Sequence, residues 1–155
     1  MATRSTIALE FADGTVEQIY CHWDGYLDNN GRILQEHYTD PFKLQQLIDL
    51  GAISSLGAEI GEKHSFDIPF KYGTPEHTAE MERRRNITTF YARDRGEDLH
   101  VSRFKDFADY RANAQFEEYN YILRRDGKWY VEFYGDFDGL LTEAFEFEAN
   151  QREDA

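Results

Sequence analysis

Cysteine is almost missing: Cys21 stands alone in 155 residues, which excludes an internal disulfide and any metal site built on several thiolates. That usage suits a reducing compartment. No apolar run exceeds three residues, and Met1-Ala2-Thr3-Arg4 leads into no apolar stretch, so neither a secretion signal nor a membrane-spanning helix is expected. Bases are scarce. Lys and Arg number 17 against 30 Asp and Glu, a net charge of −13 with a pI near 4.7. A field of that sign repels phosphate, so direct binding of nucleic acid or an anionic membrane is not expected, a local basic patch aside.

Aromatic residues are plentiful. Twelve Phe, ten Tyr and two Trp make up 15% of the chain, enough for a packed core and too many for disorder. A single domain of this length buries roughly 68–70% of the surface its unfolded chain exposes and needs no disulfide or metal. Residues 1–149 are read as that domain, with 150–155 as a frayed acidic tail.

Ile7, Leu9 and Phe11 share one strand face, as do Ile19, Cys21 and Trp23, with Asp13-Gly14 turning the chain between them. An odd, bulged loop that sets Leu9 opposite Ile19 and Ile7 opposite Cys21 matches the apolar faces better than a two-residue turn. A short helix is expected at Arg32 to Tyr38. Asp40-Pro41 opens the next helix, Leu44, Leu47 and Ile48 form its buried stripe, and Gly51 closes it. Residues 58–87 sustain no period and are read as an irregular insertion, in which Thr74-Pro75 starts a weak helix. Thr88 to Ala92 reads as a strand. Ser102 is the expected cap of a helix carrying Phe104, Phe107, Ala108 and Ala112. A second hairpin turns at Asp126-Gly127 with Ile122 facing Val131, and a last helix from about Asp138 buries Leu140, Leu141, Ala144 and Phe145. The expected fold is α+β: about five mostly antiparallel strands with helices packed on one face.

From Glu132 onward eight acids face a single base, which leaves −7 in that segment. Its simplest role is solubility; the sharper reading is an acidic surface, carried by Glu143, Glu146 and Glu148, that competes for a basic groove on a partner. Two further clusters carry chemistry. In the first, Cys21 and His22 are strand neighbours and point to opposite faces, which argues against a catalytic pair. His22, Trp23, Asp24 and Tyr26 run into a Gly-containing loop, where a binding rim is at home, unless Trp23 simply fills the core. The second cluster is Arg93, Asp94, Arg95, Glu97 and Asp98. Its charges either neutralise one another in a solvated loop, or Arg93 and Arg95 clamp a carboxylate or phosphate. Asp94, Glu97 and Asp98 as oxygen donors to a divalent cation are a weaker alternative, and no metal is expected. The five histidines show no ligand spacing, and most are expected at the surface. Phosphate-binding glycine loops, G-x-S-x-G and H-E-x-x-H are absent, and no cofactor is expected.

The blocks Thr3-Arg4-Ser5-Thr6-Ile7-Ala8, Tyr20-Cys21-His22-Trp23-Asp24-Gly25-Tyr26 and Asp94-Arg95-Gly96-Glu97-Asp98 together resemble a family of small uncharacterised bacteriophage and prophage proteins. The resemblance spans most of the chain but brings no catalytic residue with it. It implies a cytoplasmic accessory protein of an infected bacterial cell. On that footing the first expectation is a non-enzymatic inhibitor of a host bacterial protein, such as a defence or nucleic-acid-processing component. The second is a sequestering protein for a nucleotide signal, with Trp23 and Tyr26 stacking on the base and Arg93 and Arg95 holding phosphates. A hydrolase using His22 with Asp24 or Asp94 comes third, lacking a clear nucleophile, base and orienter.

Overall fold

The computed structural model describes residues 2–154, and side chains up to residue 151. Its strands are β1 (Ser5–Glu10), β2 (Val16–Cys21), β3 (Ile53–Ser55), β4 (Thr89–Phe90), β5 (Ser102–Phe104), β6 (Tyr119–Leu123), β7 (Trp129–Phe133) and β8 (Phe137–Leu140). Its helices are α1 (Arg32–His37), α2 (Pro41–Asp49), α3 (Pro75–Arg84), α4 (Tyr91–Arg95), α5 (Phe107–Asn113) and α6 (Leu141–Asp154), with a π-helical turn at Leu27–Gly31 running into α1. All eight strands form one sheet in the order β4-β3-β2-β1-β6-β7-β8, with β5 also pairing β2. The pairs β1–β6 and β2–β3 are parallel, so the sheet is mixed.

This corrects the expectation of about five mostly antiparallel strands. The additional strands β3, β5 and β8 span only three or four residues, too few for alternation to register. β5 occupies the place expected of a helix start: Ser102 is in the strand, and Asp106 caps α5 by accepting from the Asp109 N–H at 2.8 Å. Likewise the strand expected over Thr88 to Ala92 stops at Phe90, and Tyr91 opens α4. The helices also occupy both faces. Leu34, Leu44, Leu47, Ile48, Leu141 and Ala144 from α1, α2 and α6 pack on Ile7, Leu9, Ile19 and Cys21. Tyr110 of α5 packs against Ala8, Val16 and Ile122 on the opposite face. β1 is therefore buried on both sides, as its place at the centre of the sheet requires.

Both hairpin registers differ from expectation, with different consequences. β1 and β2 pair Ile7 with Ile19 and Leu9 with Glu17 around a five-residue loop closed by the Phe11 N–H on Thr15 O at 2.8 Å. That is a two-residue slip from the expected pairing, so each side chain keeps its face. β6 and β7 pair Ile122 with Tyr130 and Leu123 with Trp129. This one-residue slip moves Ile122 away from Val131 and onto the α5 face. A three-residue loop with Gly127 at φ +80° produces it, the turn-plus-bulge form that needs a residue in the left-handed region.

The α2 reading matches the structure: Asp40 accepts from the Phe42 N–H at 2.9 Å, Pro41 begins the helix, and Gly51 at φ +83° follows it. α3 begins at the expected Thr74 cap but buries none of its own residues. The insertion that carries α3 is closed at its base. Gly57 lies against the Asn86 backbone so tightly that a Cβ would sit 2.5 Å from Asn86 O, and the Glu59 N–H donates to that same oxygen at 2.8 Å. α6 runs to Asp154 and so takes in most of the segment expected as a tail. Ala155 lies outside the described residues.

Candidate functional site

The first cluster sits where β2 leaves the sheet. The His22 and Trp23 N–H groups donate to Ile53 O and Ser54 O at 3.1 and 2.9 Å, continuing the β2–β3 pairing. Alternation then separates Cys21 from His22 as expected. Cys21 is fully buried, with its Sγ 3.3 Å from Asn30 Nδ2, and burial pushes its thiol up to about 11. A neutral, enclosed thiol is no nucleophile. His22 lies on the other face, its Nδ1 sharing a 2.7 Å hydrogen bond with Tyr20 Oη and its ring meeting Trp23 edge-on at 4.9 Å.

Trp23 is 44% exposed, so it does not fill the core. Asp24 reaches φ +58° without being glycine, and its carbonyl accepts from the Asn30 N–H and from Asn29 Nδ2. Gly25 follows because a Cβ there would lie 2.6 Å from Ser5 Cβ. Tyr26, 41% exposed, precedes the π-helical turn. His22, Trp23 and Tyr26 thus belong to one exposed stretch braced from beneath by Asn30, which donates to Ser5 Oγ at 3.1 Å.

The second cluster lies on and just after α4 and is mostly internal. Arg93 Nε donates to Asp94 Oδ1 at 2.9 Å, Nη1 to Ile60 O and Gly61 O, and Nη2 to Thr88 O and Asp94 Oδ2. Its plane also stacks on Phe90, 4.4 Å from the ring centroid. Asp94 is buried and additionally accepts from the Phe90 N–H at 2.8 Å and the His64 N–H at 3.0 Å. Burial pushes its carboxyl up, but the Arg93 guanidinium and those two N–H groups outweigh it and hold the pKa below the ordinary value. His64 is buried beside it, its Nε2 3.1 Å from Thr89 Oγ1, although most histidines were expected at the surface. Sequence reasoning missed this residue because its partners lie about 25 and 30 positions downstream.

Arg95 faces outward, 4.9 Å above the Phe66 ring and 3.3 Å from Glu97, and Phe66 stacks in turn on Tyr91. Glu97 and Asp98 are exposed. The residues offered as a cation site therefore diverge: Asp94 turns in and Glu97 turns out. Among the described residues no grouping of three or more His, Cys, Asp or Glu is placed to hold a metal ion. Arg93 and Trp23 lie on separate segments with no contact between them among those described.

On α6, Glu143 and Glu146 are exposed on the solvent side while Leu141 and Ala144 face the sheet. Neither glutamate has an ion-pair partner among the described residues; Asp138 in β8, by contrast, is paired with Arg111. Glu148 is half-buried and lines a groove together with Tyr119 and Phe147. Comparison with known proteins finds no matching family model, no similar curated protein and no similar solved structure.

Proposed function

We propose that this chain is a phage-encoded accessory protein that binds and inhibits a host bacterial protein, using the solvent face of α6 against a basic surface that the host protein otherwise offers to nucleic acid. The observation that carries the reading is the exposure of Glu143 and Glu146 without ion-pair partners, in a segment holding eight acids and one base. Unneutralised carboxylates on a rigid helix create a local negative potential, and such a potential selects and steers a basic partner. Glu148 contributes less directly, being half-buried.

The test is capture of host protein by the wild-type chain and by the Glu143→Lys/Glu146→Lys variant, with duplex DNA as competitor. One stoichiometric partner, displaced by DNA and bound at least about tenfold more weakly by the variant, is the expected result. Capture that withstands both the DNA and the reversal overturns the reading. The nucleotide reading loses Arg93 as a phosphate clamp, because all five of its N–H groups already have acceptors.

A further inference from the structure

β2 is paired along one edge by two different strands. Val16, Glu17 and Gln18 pair with β5, whereas Cys21 pairs with β3. Between those contacts, beside Ile19 and Tyr20, the sheet edge has no neighbouring strand, and a groove of about 350 Å³ opens there. That size lies within the range of small-molecule sites. Its lining combines Tyr20 with Gln18, Gln115, Glu117, His100 and Ser102. Gln18 is buried, and its Nε2 reaches the Gln115 backbone carbonyl only at 3.5 Å, a long bond that a better acceptor can replace.

The chemistry of this lining is specific. Two glutamines and a glutamate at one groove bring amide donors and acceptors together with a carboxylate, the groups that match the edge of a nucleobase. Tyr20 offers a ring for stacking, held by the Tyr20–His22 hydrogen bond. Arg4 stands two residues before Thr6, which pairs with Tyr20 and lines the groove, so strand alternation sets it toward the same face; it is exposed and has no ion-pair partner among the described residues. It supplies the cation that Arg93 cannot.

We propose that the groove between β3 and β5 binds a nucleoside monophosphate, with the base stacked on Tyr20 and read by Gln18, Gln115 and Glu117, and the phosphate facing Arg4. The site involves no residue of α6 and stands or falls independently of partner docking. It is occupied by a single nucleotide and not by a nucleic-acid strand, because the net charge of −13 opposes the accumulation of phosphates.

The experiment titrates each of the four common ribonucleosides and its 5′-monophosphate into isotope-labelled protein, following backbone and glutamine side-chain amides by NMR. The expected result is saturable shifts at Gln18, Gln115 and Tyr20 for at least one base, with the monophosphate bound more tightly than its nucleoside. Gln115→Ala and Glu117→Gln, which alter loop side chains outside the core, should each weaken binding by about tenfold. Arg4→Ala should abolish the advantage of the monophosphate and leave the nucleoside affinity in place. Glu143→Lys/Glu146→Lys should change nothing here, which separates this site from the α6 reading. The proposal is overturned if no ligand shifts these resonances up to about 5 mM, or if shifts persist unchanged in both the Gln115 and Glu117 variants.

Discussion

Arg93 has five guanidinium hydrogens, and five acceptors surround them: two carboxylate oxygens of Asp94 and the carbonyls of Ile60, Gly61 and Thr88. The pair joins α4 to the base of the insertion, which identifies it as a fastening and not a ligand clamp. Removing one member leaves the other buried and uncompensated, so Asp94→Asn is expected to cost about 3–5 kcal/mol in urea denaturation at neutral pH. The pH dependence has a definite sign. A carboxyl whose folded pKa lies below its unfolded value stabilises fully above about pH 4, and that stabilisation fades as pH falls toward the folded pKa. The gap between wild type and Asp94→Asn should therefore narrow in acid; a constant gap would contradict the ionised pair. Only part of this site was legible in the sequence. The opposed directions of Cys21 and His22 follow from strand alternation alone. The role of Arg93 does not, because its acceptors Ile60 and Gly61 lie some 32 or 33 positions away in a segment without periodicity.

At the scale of elements, the long and strongly patterned pieces were readable: β1, β2, α2 and the β6–β7 hairpin all exist where alternation or caps place them. What could not be read were pairings between distant segments. β1 and β6 lie side by side in parallel although more than 100 residues separate them, and nothing local encodes that contact. The insertion shows the same limit. Its irregular sequence says nothing of the closure at Gly57, Asn86 and Thr88, where the Gly57 N–H donates to Thr88 Oγ1 at 3.0 Å and the Thr88 N–H to Glu59 O at 2.9 Å. A methyl group at position 57 must displace backbone here and not a flexible side chain. Gly57→Ala should consequently destabilise by about 1–3 kcal/mol, with hydrogen exchange accelerated first at the Glu59 and Thr88 amides. Unchanged protection at those two amides would show that the clamp yields without cost.

For the whole molecule, one charge distribution acts on two equilibria with opposite sign. Self-repulsion at −13 disfavours the compact state, so added salt should raise the thermal midpoint until screening shortens to about 10 Å near 0.1 M. The same salt should weaken a complex held by α6 carboxylates. Substitutions separate the global field from the local one. Glu143 lies in the first turn of α6, where the helix dipole favours an acid by about 0.3–1 kcal/mol, so Glu143→Lys gives up that term while relieving net charge. Glu146 lies beyond the first turn and feels chiefly the overall field. Glu146→Lys should therefore raise the midpoint by a few degrees at low salt, on the scale that about 1 kcal/mol produces in a domain of this size, whereas Glu143→Lys should leave it level or lower it. Both should weaken partner binding alike, since the partner sees two neighbouring carboxylates on one face. If binding instead tracks stability, weakening only with Glu143→Lys, then α6 contributes to the complex through its own integrity, and the acidic face is a solubilising surface only.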